Sequence, residues 1–128
     1  MLDDFIALEA YKAAFVYQLI LSARSSHMVE TGTSFGVSTI YLALAVAESK
    51  RITGKTGKVT SIEKEAKKAE RARVHWKEYG EIVERRVDLR VGNLVVALAG
   101  GLGEVDMLLL DSKFLFGYFL CLSRVLVC

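Results

Sequence analysis

Residues 29–39 hold the glycines and polar side chains best suited to bind a charged small molecule. Gly32 and Gly36 let the backbone turn sharply and let a ligand approach it, because neither carries a Cβ atom. The N–H groups at the start of a following helix attract an anionic group. Glu30 lies just before the turn and offers an acceptor for a cationic group. Together these groups suit a zwitterion such as an amino acid better than a bare phosphate.

The spacing of the two glycines argues against a dinucleotide site. A dinucleotide fingerprint has the pattern Gly-x-Gly-x-x-Gly, whereas residues 32–36 provide only Gly-x-x-x-Gly. Glycine turns are also common in α/β proteins that bind nothing at them. Taken alone, the stretch therefore leaves a binding turn and an ordinary turn equally open.

Three further polar residues each follow the end of a predicted strand, namely Glu63, Asn93 and Asp111. The carboxyl ends of the strands form the edge at which open α/β sheets bind ligands. A carboxylate at the end of the second strand can accept hydrogen bonds from both hydroxyls of a ribose. Singly, each residue is explained as a polar loop cap, which is the preferred interpretation of Asn93 alone. Together with Glu30 and Gly32, the set favours a nucleoside with an amino-acid tail.

The elements that must position these groups follow the order of an α/β protein. The sequence predicts a helix over 2–24, strands over 27–31, 58–62, 86–91 and 105–110, a helix from the glycine turn to about 49, a charged helix over 64–79 and a short helix over 94–99. Alternating strands and helices indicate a parallel sheet with right-handed crossovers. The last strand is almost wholly apolar, as expected of a parallel strand buried on both faces.

The apolar spacing also predicts which helix faces are buried. The first helix is expected to bury a face made of Phe5, Leu8, Phe15, Leu19 and Ala23, widened by Ile6, Val16 and Ile20. The charged helix is expected to bury a narrow stripe made of Ala66, Ala69, Ala72, Trp76 and Tyr79. Its lysines and arginines are interpreted as a solvated face and not as a nucleic-acid site.

Composition limits the class of protein. A chain of 128 residues with 52% hydrophobic and 25% charged residues is expected to form one globular domain over 1–128. A net charge of +2, from 17 basic and 15 acidic residues, gives no electrostatic footprint for nucleic acid. Cys121 and Cys128 suggest no disulfide framework, which favours a reducing, cytoplasmic compartment. Asp3 and Asp4 are unlike the basic start of a signal peptide.

Four motifs in series resemble the class I S-adenosylmethionine-dependent methyltransferases, most closely the small-molecule O-methyltransferases of the catechol and caffeoyl-CoA type. They read Val-Glu-Thr-Gly-Thr-Ser-Phe-Gly-Val-Ser-Thr, Val-Thr-Ser-Ile-Glu-Lys-Glu, Leu-Arg-Val-Gly-Asn and Val-Asp-Met-Leu-Leu-Leu-Asp-Ser-Lys, and with the first helix they cover about residues 2–113. The resemblance implies the first half of a Rossmann-like sheet, with about four strands. It also implies methyl transfer from S-adenosylmethionine to a hydroxyl of a catechol-like or other phenolic acceptor.

The resemblance further implies a role for each matching residue. Glu30, Gly32, Thr33 and Gly36 would line the methionine part of the cofactor, Ser38 would lie near its carboxylate, Glu63 would hold the ribose, and Gly92 and Asn93 would approach the adenine. Asp111 would approach the methionine amino group and, in metal-dependent members, bind Mg²⁺ or another divalent cation. Lys113 is the candidate base, although it follows Asp111 by two residues where the family often has three.

The end of the chain departs from the family, whose members usually continue for three more strands carrying the remaining metal ligands and much of the acceptor pocket. Residues 114–128 instead form an apolar tail, too short for a transmembrane helix and interrupted by Arg124. The tail is interpreted as a helix packed on the sheet, or as the sign of a truncated chain. Truncation would leave the edge of the fourth strand uncovered and favour a homo-oligomer.

Two other functions stay open at this point. The chain could be a catalytically incomplete cofactor-binding fragment that acts as an interaction module, because the acceptor half is missing. It could also be a piece of a nicotinamide dehydrogenase, although the missing third glycine weakens that alternative.

Overall fold

The computed structural model describes residues 2–33, 36–110 and 125–127, and its centre is a five-stranded parallel sheet in the order β3-β2-β1-β4-β5. The elements are α1 (Leu2–Ala23), β1 (His27–Thr31), α2 (Val37–Thr53), β2 (Lys58–Glu63), α3 (Ala66–Tyr79), α4 (Glu81–Glu84), β3 (Val87–Val91), α5 (Leu94–Ala99), β4 (Met107–Leu110) and β5 (Val125–Val127). The predicted α/β architecture with a parallel sheet is confirmed. Among the residues described, no helix has both the length and the apolar character needed to cross a membrane.

The sheet has one strand more than the four predicted. β5 pairs with β4 in parallel, with Leu108 opposite Val125 and Leu110 opposite Val127. The edge of β4 that was expected to be uncovered is therefore paired, and the outer edge on this side belongs to β5. The remainder of the predicted apolar tail lies outside the described residues.

The core consists of two layers, one on each face of the sheet. β1 is buried along its whole length, and its alternate residues contribute to opposite layers, as the pleat of a strand requires. Met28 joins the larger layer under α1 and α2, whereas Val29 joins a smaller layer with Leu94 and Ala97 of α5. The sheet is thus covered by helices on both faces, which fixes the positions of the strand ends that carry the candidate site.

The buried face of α1 matches the prediction at Val16 and Ile20 and differs from it at Phe15. Val16 and Ile20 are buried, whereas Phe15 is 60% exposed. α1 packs against α2, and one residue step around a helix turns the side chain by about 100°, so Phe15 faces outward when Val16 faces inward. In α3 the predicted stripe is confirmed at Ala69, Ala72 and Trp76. The two end members of that stripe, Ala66 and Tyr79, are exposed.

A buried histidine joins three segments at the amino-terminal edge of the sheet. His27 Nδ1 lies 2.7 Å from the Glu104 carbonyl oxygen, and His27 Nε2 lies 2.9 Å from Thr60 Oγ1. Because a carbonyl only accepts, Nδ1 carries the proton and Nε2 accepts from the Thr60 hydroxyl. Asp106 accepts from the backbone N–H groups of Ser26 and His27, each at 2.9 Å. Neither His27 nor Asp106 lies near the ligand edge, so this cluster holds the fold together.

Acidification is expected to destabilise the protein through His27. Burial lowers the pKa of His27 below its ordinary value of 6.5. The unfolded chain therefore binds a proton more readily than the native one, and stability falls as the pH drops below about 6.5. Thermal melts between about pH 7.5 and about pH 5.5 should show a falling midpoint, and the fall should be smaller in His27→Gln. An equal fall in both proteins would contradict this account.

Candidate functional site

The carboxyl ends of β1, β2 and β3 meet at one edge of the sheet, where the parallel register places Thr31 opposite Ile62 and Glu63 opposite Val91. Backbone hydrogen bonds extend this pairing beyond the strands themselves. The Gly32 N–H donates to the Ile62 carbonyl at 2.8 Å, and the Gly92 N–H donates to the Glu63 carbonyl at 2.9 Å. The three predicted turns are therefore tied together side by side.

The glycine turn after β1 requires glycine at both predicted positions. Gly32 has a φ of 82° and Gly36 a φ of 83°, in the left-handed region that other residues seldom adopt. A Cβ atom on Gly36 would lie 2.6 Å from Trp76 Nε1 and 2.8 Å from the Ala72 Cβ. The Trp76 indole N–H donates to the Gly36 carbonyl at 2.9 Å. Close contact with α3 thus explains why glycine is required at position 36, which the sequence analysis did not predict. Contact of Gly36 with a cofactor stays a prediction.

The first turn of α2 begins directly after this glycine. Gly36 is the N-cap and provides no side-chain hydrogen bond to the helix, while its own N–H donates to the Thr33 carbonyl at 2.9 Å. The N–H groups of the first helical turn therefore receive no side-chain cap from this position. Their direction and the helix dipole make this the point at which an anion is stabilised.

Glu30 lies inside the protein, beneath the glycine turn, and is 2% exposed. Its Oε1 accepts hydrogen bonds from Thr39 Oγ1 at 2.5 Å and from Ser61 Oγ at 2.8 Å. Its Oε2 accepts from Ser38 Oγ at 2.6 Å. Thr33 Oγ1 lies 2.5 Å from Ser61 Oγ and extends the same network. Sequence reasoning did not single out Thr39 or Ser61, although a serine within the buried strand β2 was a signal that it has a polar partner.

Glu63 ends β2 and is also buried, with 5% of its surface exposed. Its Oε2 accepts the backbone N–H of Glu65 at 3.0 Å, which fixes the carboxylate at the turn between β2 and α3. A buried carboxylate at this strand end can accept hydrogen bonds from two neighbouring hydroxyls of a ligand. Glu63 thus lies at the strand end predicted for it, and its contact with a ribose stays a prediction.

Gly92 and Asn93 follow β3 and lead into α5. Gly92 has a φ of 141°, and Asn93 is exposed. Asn93 Oδ1 accepts the Val96 N–H at 2.9 Å and so caps α5. The loop-cap interpretation therefore holds for this oxygen, and the contact of Asn93 with an adenine stays a prediction.

A small cleft of about 110 Å³ lies between these turns. Its lining consists of Thr31, Gly32, Ile62, Lys64, Gly92, Asn93 and Leu94. Small-molecule sites usually enclose about 300–1,000 Å³, so this cleft corresponds to one part of a cofactor site. Lys64, which follows the predicted carboxylate, is a lining residue that the sequence analysis did not single out.

A larger cleft of about 200 Å³ lies elsewhere, between α3, α4 and β3. Trp76, Glu84 and Val87 are among its lining residues, and it contains none of the predicted site residues. Val87 begins β3, so this cleft lies away from the strand ends at which α/β sheets bind ligands. The smaller cleft is therefore the candidate site.

Two predicted residues, Asp111 and Lys113, lie outside the described residues. Within the described part of the chain, no group of three or more His, Cys, Asp or Glu residues could hold a metal ion. The divalent cation therefore stays a prediction, because Asp111 is the ligand named for it.

Comparison with known proteins gives consistent matches. A family model described as a methyltransferase domain matches residues 29–116. Cofactor-bound Rv0187 from MTB is 31% identical over 80% of this chain and 43% of that chain, with a TM-score of 0.68. The O-methyltransferase TomG from Streptomyces achromogenes, solved in complex with SAM, is 27% identical over 79% of this chain and 43% of that chain, with a TM-score of 0.67.

A third structure, the O-methyltransferase from Bacillus cereus in complex with SAH, shares the fold with a TM-score of 0.68 and 24% identity, over 79% of this chain and 44% of that chain. The chain therefore spans less than half the length of these solved structures. No curated protein matches it.

Proposed function

Because the chain belongs to the family of class I S-adenosylmethionine-dependent O-methyltransferases, we propose that it binds S-adenosylmethionine at the edge formed by β1, β2 and β3. The reaction that this site serves is transfer of the methyl group to a hydroxyl of a small molecule, catechol-like or otherwise phenolic. The observation that carries the proposal is the Glu63 carboxylate at the end of β2, where backbone hydrogen bonds hold the turns at Gly32 and Gly92 next to this strand.

The proposed assignments follow the cofactor from its tail to its base. Gly32, Thr33 and Gly36 form the turn for the methionine part, the first turn of α2 near Ser38 receives the carboxylate, Glu63 accepts the ribose hydroxyls, and Gly92 and Asn93 approach the adenine. The start of a helix suits the cofactor's carboxylate because it stabilises an anion. The Glu63 carboxylate suits the ribose because it can accept hydrogen bonds from two hydroxyls. The Glu30 carboxylate supports the same turn from beneath.

When bound, S-adenosylmethionine would supply a methyl group on a positively charged sulfur. The acceptor oxygen would form a bond to this methyl group as the sulfur–methyl bond breaks, S-adenosylhomocysteine would leave, and the hydroxyl proton would pass to a base. The protein contributes chiefly by holding the two reactants in line for this direct displacement. Asp111, as a ligand of Mg²⁺ or another divalent cation, and Lys113, as a base, are proposals that rest on the resemblance.

Calorimetry tests the proposed site directly. Titration with S-adenosylmethionine, S-adenosylhomocysteine and NAD should show binding of the first two and none of the third. Preferential binding of NAD would instead revive the dehydrogenase alternative. Transfer assays on catechols, with and without Mg²⁺, then separate an active enzyme from a cofactor-binding fragment.

The partners and the compartment are proposals of the same kind. We propose a small-molecule acceptor, no nucleic acid, a cytoplasmic location and a homo-oligomer that forms through an outer sheet edge and the apolar tail. In the described sheet, β5 is the outermost strand on one side and β3 on the other. Sedimentation of the purified chain over a range of concentrations would test the association.

Replacing Glu63 by alanine is expected to weaken S-adenosylhomocysteine binding by about 1–3 kcal/mol, because two ribose hydroxyls lose their acceptor. The measurement is calorimetric titration of both proteins. Glu65→Ala is the matched control, since Glu65 is exposed and this variant keeps the backbone N–H that donates to the Glu63 carboxylate. An unchanged dissociation constant in Glu63→Ala would contradict the ribose assignment.

A further inference from the structure

The Glu30 carboxylate is surrounded by hydroxyl groups of its own chain. Oε1 accepts from Thr39 and Ser61, and Oε2 accepts from Ser38, at distances between 2.5 and 2.8 Å. With 2% of the residue exposed, these contacts are made in the interior of the protein. A side chain that binds a ligand cation directly would be expected to lie at the surface of a pocket, whereas Glu30 is buried and accepts hydrogen bonds from its own chain.

The direction of each hydrogen bond follows from the number of protons. A hydroxyl has one proton to donate, and the Ser61 proton is directed to Glu30. The bond of 2.5 Å between Thr33 and Ser61 is therefore donated by Thr33. The network runs from the glycine turn through β2 to the carboxylate on β1, and from there to the first turn of α2.

We propose that Glu30 is a positioning residue, whose carboxylate holds the glycine turn and the start of α2 in the conformation that receives the amino-acid tail of the cofactor. This inference rests on the proposed function, and it replaces a direct contact of Glu30 with the cofactor's ammonium group. It also makes Thr39 and Ser61 functional residues, although both are buried and neither lies in the cleft.

The same geometry changes how the carboxylate of the cofactor is recognised. The Ser38 hydroxyl proton points to Glu30 and is not available to an anion. Recognition of the anion therefore falls on the backbone N–H groups at the start of α2, and the Glu30 network sets their direction. A shift of this turn would alter binding of the tail more than binding of the nucleoside.

Paired substitutions at Thr39 separate hydrogen bonding from packing. Thr39→Val keeps the shape of the side chain and removes the donor, whereas Thr39→Ser keeps the donor and removes a methyl group. The proposal expects Thr39→Val, Ser61→Ala and Glu30→Gln each to weaken S-adenosylhomocysteine binding by roughly tenfold or more, and Thr39→Ser to change it by less than about threefold. Calorimetric titration of the full chain measures all four.

A second ligand distinguishes positioning from general damage to the fold. 5′-Methylthioadenosine shares the nucleoside and lacks the amino-acid tail, so its affinity is expected to change much less in the same variants. Equal losses for both ligands would overturn the proposal, as would a loss in Thr39→Ser as large as that in Thr39→Val. A loss confined to Glu30→Gln, with Ser61→Ala and Thr39→Val unaffected, would instead indicate direct contact and would also overturn it.

The proposed function and this inference fail in different ways. If the unmodified chain binds neither ligand, the cofactor site itself is wrong. The network is then tested by amide hydrogen exchange in the first turn of α2. The Ile40 N–H donates to the Gly36 carbonyl at 3.3 Å, and its exchange should be faster in Glu30→Gln and in Thr39→Val than in Thr39→Ser. Equal exchange rates in the three variants would overturn the proposal without any ligand.

Discussion

Replacing Gly36 by alanine is expected to lower the free energy of unfolding by about 2–5 kcal/mol, because two costs add. The first is backbone strain, since Gly36 has a φ of 83°. The second is steric, since the new Cβ would meet Trp76 Nε1 at 2.6 Å and the Ala72 Cβ at 2.8 Å. Neither neighbour can move freely, because both are buried in α3 and the indole N–H is held by the Gly36 carbonyl.

Urea unfolding followed by tryptophan fluorescence measures this change, and the single tryptophan is the residue that would be displaced. Gly54→Ala is the matched control. Gly54 has a φ of 79°, and a Cβ there would meet nothing within 4 Å, so this variant carries the strain without the clash. Its loss should be limited to about 1 kcal/mol. Equal losses in both variants would show that contact with α3 does not explain Gly36.

Replacing Gly32 by valine is expected to remove measurable binding of S-adenosylmethionine. Gly32 has a φ of 82° and lines the cleft, so a branched side chain would both strain the turn and occupy the space that the cofactor tail needs. The turn is anchored by the hydrogen bond from the Gly32 N–H to Ile62, which leaves little room for adjustment. Titration calorimetry checks the result.

Gly101→Val separates backbone strain from blockage of the site. Gly101 has a φ of 81°, is exposed, and has open space where a Cβ would lie. The substitution Gly101→Val therefore introduces the same side chain at nearly the same φ angle as Gly32→Val, away from the cleft. Gly101→Val should bind the cofactor as the unmodified chain does. If Gly32→Val also retained its affinity, the glycine turn would not be the binding site.

Much of the fold could be predicted because the strands are buried on both faces and the turns carry glycine. β1 was predicted with the bounds that it has, and α5 likewise. The orientation of α1 could not be predicted, since Phe15 and Val16 are both apolar and periodicity alone does not choose between adjacent positions. The packing of α1 against α2 makes that choice. β5 was missed because its three residues lie in an apolar run without a turn signal.

In the candidate site, too, features marked by a local sequence pattern could be predicted, whereas contacts between residues distant in sequence could not. Gly32, Glu63 and Gly92 could be singled out because each lies at the end of a strand, which is a local pattern. The partners of Glu30 were not found, since Ser61 is 31 residues away and only the parallel register of β1 and β2 brings the two together. The contact that explains Gly36 was missed for a similar reason, because Trp76 is 40 residues away on another helix.

The central position of β1 has a kinetic consequence for folding. One neighbour of this strand, β2, follows it closely in the chain. The other neighbour, β4, is distant in sequence: the hydrogen bond from the Ser26 N–H to Asp106, just before β4, joins residues that are 80 positions apart. Closing so long a loop is slow compared with forming helices and local pairs. Until β4 docks, one edge of the middle strand offers unpaired backbone N–H and C=O groups to any other chain nearby. Rapid dilution during refolding therefore favours the native sheet over intermolecular pairing.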